Sequence, residues 1–84
     1  MQDTPITINL RYFAVLRDQR GVADEVLSTD ATTPRALYQE LAATYNFTLP
    51  VDRIGVAIGD EFVALDQSLK NGDNVTFIPP VAGG

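Results

Sequence analysis

The sequence predicts a single α+β domain in which a mixed sheet of four or five strands packs on one main helix. Several short segments alternate apolar and polar residues, which is the period of half-buried strands. Between them, residues 34–45 repeat apolar side chains at helical spacing. Because 84 residues are too few for a second hydrophobic core, we expect all elements to share one core.

The first predicted strand covers residues 6–13. Its apolar positions lie on one parity, with the exception of Phe13, a large aromatic residue on the polar parity at the end of the strand. Residues 14–20 then predict a short helical turn that Gly21 ends, and residues 24–28 predict a second strand antiparallel to the first.

The main helix is predicted from Pro34 to about Tyr45. The preceding Thr33 supplies a hydroxyl that can cap a free N–H, and proline is favourable at the first helical position. Leu37 and Leu41 form an apolar stripe with Tyr45, which we interpret as a core-facing surface, and Asn46 is a typical terminator.

Strand patterns resume after the helix. Residues 54–58 predict a third strand, Gly59-Asp60 a turn, and residues 61–65 a fourth strand. Asn71-Gly72-Asp73 is a strong turn signal. Residues 75–78 predict a last strand.

In that last strand Val75 and Phe77 face inward, which leaves Ile78 facing outward. Ile78 is therefore the second apolar residue on a polar parity, after Phe13. The order strand, strand, helix, strand, strand, strand is typical of an α+β roll of the β-grasp kind.

Composition excludes several classes of function. Without cysteine or histidine, the chain has no thiolate, no imidazole base and no common zinc ligand, so we expect no metal site and no autonomous active site. The eleven Asp and Glu show no spacing typical of a paired acid and base, and a net charge of −5 argues against nucleic-acid binding. With no secretory signal and no apolar run near 18 residues, we expect a cytoplasmic protein without a membrane partner.

The end of the sequence, Pro79-Pro80-Val81-Ala82-Gly83-Gly84, predicts a flexible tail over residues 79–84 after a domain over residues 1–78. Two prolines cannot pair in a sheet, and glycines without β-carbons can pass through a narrow channel of a partner. A terminal carboxylate is a poor electrophile until ATP converts it to an acyl-adenylate, which sulfur can displace to leave a thiocarboxylate. The alternative is that the two glycines end the chain fortuitously.

Two segments resemble a known family. Tyr12-Phe13-Ala14-Val15-Leu16-Arg17-Asp18 resembles the N-terminal signature of the small, sulfur-carrying subunit of molybdopterin synthase, and the Pro-Pro-Val-Ala-Gly-Gly end resembles that of the same family. The resemblance extends over the whole chain and implies a ubiquitin-like β-grasp fold.

The resemblance also implies a division of labour among proteins. An adenylating enzyme related to ubiquitin activators would consume ATP to charge Gly84, and a sulfur donor such as a cysteine desulfurase or rhodanese would supply sulfur, with no permanently bound cofactor. The thiocarboxylated tail would then enter the large catalytic subunit and sulfurate cyclic pyranopterin monophosphate within a heterotetramer. The chain would thus be the sulfur-donating subunit of a sulfurtransferase complex.

The resemblance assigns roles to particular residues. Gly84 carries the reacting carboxylate and Gly83 helps to deliver it. The partner-binding residues are Phe13, Phe62 and Ile78 on the domain, with Pro79, Pro80, Val81 and Ala82 on the tail.

Other interpretations stay open at this stage. Phe13 and Ile78 can instead close the rim of the core, and the strand parity of Phe62 is ambiguous. Arg11 and Arg17 can pair with acidic groups of a partner. The carrier can also serve thiamine synthesis, cysteine synthesis or transfer-RNA thiolation, or the domain can be a non-catalytic β-grasp interaction module.

Overall fold

The computed structural model describes residues 5–80, and its elements follow the predicted order. The strands are β1 (Ile6–Tyr12), β2 (Asp24–Thr29), β3 (Gly55–Ile58), β4 (Glu61–Val63) and β5 (Asn74–Ile78), and the helices are α1 (Ala14–Arg20), α2 (Pro34–Tyr45) and a 3₁₀ turn (Val51–Arg53). None of the helices in this part of the chain is long and apolar enough to cross a membrane.

The five strands form one mixed sheet in the order β2-β1-β5-β3-β4. β1 and β5 are parallel neighbours at its centre, and every other pair is antiparallel. Tyr12 lies opposite Phe77 in the parallel pair, so the residues that follow β1 and β5 leave the sheet at the same end.

The core lies between one face of this sheet and α2. The alternate residues of the central strands that the periodicity predicted to face inward are buried, as is the stripe on the helix. These residues are Ile8, Leu10, Tyr12, Val56, Val75 and Phe77 on the sheet and Leu37, Tyr38 and Leu41 on α2. The predicted α+β roll over one main helix is confirmed, with five strands.

The ends of α2 are those the sequence predicted. The hydroxyl of Thr33 accepts a hydrogen bond of 3.2 Å from the Ala36 N–H, and Pro34 occupies the first turn. Asn46 ends the helix in the left-handed conformation, with φ of 59°, and its N–H bonds to the carbonyl of Ala42. The short side-chain amide makes asparagine one of the few residues that tolerate this conformation.

The short helix α1 is joined to the domain at several points. Leu16 is fully buried, and Gly21 closes the helix with φ of 92°. The amide of Gln19 donates to the hydroxyl of Thr48 at 2.8 Å and accepts from the Thr48 backbone N–H at 3.1 Å.

The bounds of β1, β2, β3 and β5 each differ by one residue from the prediction, and two larger details also differ. β4 ends at Val63 rather than at residue 65, because the Ala64 carbonyl accepts from the Gln67 N–H in a turn and the Leu65 carbonyl accepts from the Arg35 N–H in the first turn of α2. The 3₁₀ turn over residues 51–53 was not predicted, since it has no periodic pattern of its own.

A polar cluster ties α1 to the sheet. The Arg20 guanidinium makes two hydrogen bonds to the Glu25 carboxylate, at 2.6 and 2.9 Å, and lies 4.1 Å from the centre of the Tyr45 ring. The buried Tyr12 donates its hydroxyl to the same carboxylate at 2.5 Å. Arg20 first, and then the Tyr12 hydroxyl, hold the pKa of Glu25 below its usual value, while burial and the neighbouring carboxylate raise the pKa of Tyr12.

We predict that Glu25→Gln lowers the thermal midpoint at neutral pH. Because the folded pKa of Glu25 is lowered, its contribution to stability is complete above the unfolded pKa and disappears as the pH falls through the folded value. The difference between variant and parent should therefore shrink in acid, as measured by thermal unfolding from pH 7 to pH 2. Glu61→Gln, at an exposed position in β4, is the matched control. A difference that is the same at both ends of this range would contradict the assignment.

Candidate functional site

The sheet face opposite α2 carries the candidate site. We call this face the open face. One row of paired residues crosses it from β4 through β3 and β5 to β1: Phe62, Ala57, Thr76 and Arg11. The neighbouring residues along each strand point to the core, because side chains alternate between faces.

Phe62 is the most exposed large apolar side chain among residues 5–80, at 77%. The register decides the parity that the sequence left ambiguous. Phe62 is paired with Ala57, whereas Val63 is paired with the core residue Val56. Ala57 is only 9% exposed although it is not part of the core cluster, and directly paired side chains lie about 5 Å apart. Phe62 and Ala57 thus form an apolar pair on the open face.

Ile78 lies at the end of β5 on the same face and is half-buried. Its cross-strand partner is Gly55, which has no side chain to cover it. A Cβ on Gly55 would lie 3.8 Å from the Ile78 carbonyl oxygen, an ordinary contact, so the fold does not require glycine there. The absence of a side chain at residue 55 leaves Ile78 accessible.

Phe13 follows β1 at the same end of the sheet. Tyr12 is paired with Phe77, and Phe13 and Ile78 are the residues that follow this last pair at the same end of the sheet. Phe13 is 43% exposed, so a large part of it is available to a partner. Whether it also closes the rim of the core stays an alternative interpretation. Together with Ala57, Phe62 and Ile78 it forms what we call the apolar patch.

The rest of the open face is mostly polar, although the exposed Val26 on β2 also lies there. A groove of about 460 Å³ runs along this face from the turn at Asp60 to the Arg11–Asp24 strand pair, and its lining also includes Asn9, Val26 and Asn74. Arg11 faces this groove, and Arg17 is exposed on α1. Neither arginine makes an ion pair with any residue of the described part of the chain. Their proposed pairing with a partner stays a prediction.

The root of the tail adjoins the apolar patch. β5 ends at Ile78, Pro79 is half-buried, and Pro80 is exposed. The other predicted tail residues, Val81, Ala82, Gly83 and Gly84, lie outside the described residues. The flexible tail over residues 79–84 and the delivery roles of its residues therefore stay predictions.

The arrangement is suited to binding. Exposed aromatic side chains grouped on one face of a domain are typical of a surface that a partner covers. Within residues 5–80, no three His, Cys, Asp or Glu side chains are grouped so that they could hold a metal ion. Strand parity singled out Phe13 and Ile78, and the family resemblance added Phe62. Both missed Ala57 and the bare position at Gly55, because neither an alanine nor a glycine stands out until the register assigns it to a face.

Comparisons with known proteins agree with this description. The model of the ThiS family matches residues 10–84. The molybdopterin synthase sulfur carrier subunit of Haemophilus influenzae is 34% identical over 92% of this chain and 99% of its own, and that of Escherichia coli is 32% identical with the same coverage. The solution structure of the HVO 2177 protein of Haloferax volcanii has a TM-score of 0.82 at 26% identity, covering all of this chain and 92% of that one.

The family match includes both ends of the candidate site, from Phe13 to Gly84. The expected ubiquitin-like β-grasp roll is confirmed by the mixed five-stranded sheet with its helix and by the solved structures that share it. From its fold, its tail sequence and this similarity over nearly the whole length, the chain belongs to the ThiS family and, within it, groups with the molybdopterin synthase sulfur carrier subunits.

Proposed function

We propose that this chain is the sulfur carrier subunit of a molybdopterin synthase, and that the carboxylate of Gly84 is its reacting group. The observation that carries the proposal is the similarity to two such subunits over more than nine-tenths of the chain. The match to the family model extends to the Gly83-Gly84 end. The domain presents the root of this tail beside the apolar patch, so one partner surface can hold the domain and receive the tail.

The chemistry needs no catalytic side chain from the carrier itself. The Gly84 carboxylate would attack the α-phosphorus of ATP, with pyrophosphate as the leaving group, in the active site of an adenylating enzyme. A hydrosulfide equivalent would then attack the acyl carbon, and AMP would leave with the electrons of the broken C–O bond. If sulfur arrives as a persulfide from a desulfurase or rhodanese, a thiol must reduce the resulting acyl disulfide to give the thiocarboxylate. We place these steps in the cytoplasm.

The second half of the cycle belongs to the large catalytic subunit. Its active site would bring the thiocarboxylate sulfur to cyclic pyranopterin monophosphate, and water would supply the oxygen that restores the Gly84 carboxylate. A narrow channel would suit the two terminal glycines, because neither has a side chain that would obstruct it. The family's heterotetramer would place one carrier at each end of a catalytic dimer.

The apolar patch is the part of the domain that we expect the partner to cover. Phe62 is 77% exposed and Phe13 is 43% exposed, and aromatic residues at the centre of an interface contribute strongly when they are desolvated. The chain carries a net charge of −5, which favours a basic surface around the partner's apolar contact.

Incubation with the adenylating enzyme, ATP and a sulfur source should increase the intact mass by about 16 Da, the difference between one sulfur and one oxygen atom. The measurement is intact-protein mass spectrometry, with omission of ATP as the control. An unchanged mass, under conditions in which the same enzyme activates another carrier, would exclude the proposal.

Gly84→Tyr should abolish this mass change while leaving the thermal midpoint where it is. A bulky side chain would obstruct the active site of the activating enzyme, whereas the tail follows the last strand and has no assigned role in the core. Gln67→Tyr, in an exposed loop between β4 and β5, adds the same side chain away from the tail and should be charged normally. If Gly84→Tyr is charged normally, activation does not require glycine at position 84 and this prediction is contradicted.

Phe62→Asp should weaken binding to the large catalytic subunit by about 2 kcal/mol, which corresponds to roughly 30-fold in Kd. Val26→Asp is the matched control, because Val26 is 66% exposed on the same sheet face but lies on β2, at the other edge of the sheet. Isothermal titration calorimetry should show a loss for the first variant only, with little change in either thermal midpoint. Equal losses for the two variants would mean that the apolar patch is not the docking surface.

A further inference from the structure

The backbone of Ala14 is unusual among the residues that the structure describes. Five residues between 5 and 80 have a positive φ in the left-handed range: Ala14, Gly21, Asn46, Gly59 and Gly72. Four of them are glycine or asparagine, which adopt this conformation readily. Ala14, with φ of 53°, is the exception. A β-carbon in this conformation costs about 1 kcal/mol or more.

No packing gain at Ala14 offsets this cost. Ala14 is exposed, so its methyl group adds nothing to the core. The burial of the flanking residues fixes the backbone conformation of Ala14 instead, since Tyr12 is 1% exposed and Leu16 is fully buried. Strained backbone persists only where its surroundings hold it, and it occurs preferentially at functional positions.

Phe13 is the residue directly before this turn. Phe13 is extended, with φ of −123° and ψ of 150°, and its carbonyl accepts from the Leu16 N–H at 3.1 Å. The chain thus changes from strand to helix within one residue. Two buried anchors lie on either side of an aromatic side chain that stays 43% exposed.

We propose that Ala14 is a positioning residue whose left-handed backbone turns α1 off the line of β1, so that Phe13, which strand parity puts on the open face, stays exposed for docking to the catalytic subunit. The identity of the partner in this inference rests on the proposed function. The placement of Phe13 rests on the backbone geometry alone. A residue that cannot adopt a positive φ would force this turn to rearrange and would change how the start of α1 lies against Phe13.

The test compares residues that differ in their tolerance of positive φ. Ala14→Gly should bind the large catalytic subunit within about twofold of the parent, because glycine adopts the same backbone without strain. Ala14→Val should lose affinity as strongly as Phe13→Ala, by at least tenfold, since a β-branched residue strongly disfavours this region. Affinity is measured by titration calorimetry.

A double-mutant cycle separates positioning from a general structural role. If Ala14 acts through Phe13, adding Ala14→Val to Phe13→Ala should lower the affinity by less than about twofold further. A further tenfold loss in the double variant, or parent-like binding by Ala14→Val alone, would overturn the proposal.

A partner-free measurement covers the case in which Ala14→Val fails to fold. Chemical synthesis with D-alanine at position 14 should raise the thermal midpoint, because a D-residue prefers positive φ. In the parent protein, L-alanine at position 14 should show the strong intraresidue HN–Hα nuclear Overhauser effect that an L-residue gives at positive φ. A lower midpoint, or a weak effect in the parent protein, would overturn the positioning role. If the D-alanine variant has the higher midpoint and the parent has the strong effect, but the parent does not bind the large catalytic subunit, the proposed function and the docking role of Phe13 fail, whereas the backbone assignment holds.

Discussion

The parallel pairing of β1 with β5 is the constraint on which the rest of the structure depends. It joins the first strand to the last at the centre of the sheet, with Tyr12 opposite Phe77. Parallel neighbours end at the same edge, so the turn into α1 and the root of the tail leave the domain side by side. Without this pairing, Phe13 and Ile78 would have no reason to lie together.

The two faces of the sheet have different roles: the face against α2 forms the core, and the open face is available for recognition. The inward residues of β1, β3 and β5 are buried against α2, and their burial supplies the main driving force for folding. The outward residues of these strands and of β4 are free to vary without disturbing that core. An apolar patch can therefore exist on the open face, at the end of the sheet from which the tail emerges, and its cost to the fold is small.

Helix α1 illustrates how local and tertiary contacts cooperate. Gly21 ends it, and the Arg20–Glu25 pair and the Gln19–Thr48 pair fasten it to β2 and to the loop after α2. With α1 held in this way, the turn at Ala14 cannot relax by shifting the whole helix. A seven-residue helix that would be unstable by itself thus becomes a fixed support for the aromatic residue before it.

The sequence by itself determined whatever depends on neighbours along the chain. Alternation assigned Ile8, Leu10 and Tyr12 to the core, and capping residues gave both ends of α2, because hydrogen bonds at helix ends are local. The absence of cysteine and histidine excluded the usual catalytic groups without any structure. Phe13 and Ile78 stood out as apolar residues on polar parities because alternation along a strand is also a local pattern.

Only the tertiary structure decided what depends on pairing between distant segments. The register of β4 against β3 placed Phe62 on the open face opposite Ala57. β4 ended early because the Leu65 carbonyl accepts a hydrogen bond from the Arg35 N–H in the first turn of α2. The left-handed backbone at Ala14 was equally invisible in the sequence, since alanine alone favours a right-handed helix and only its buried neighbours impose the opposite sign of φ. Local preference selected the elements, and contacts between residues far apart in the chain selected the face that each side chain occupies.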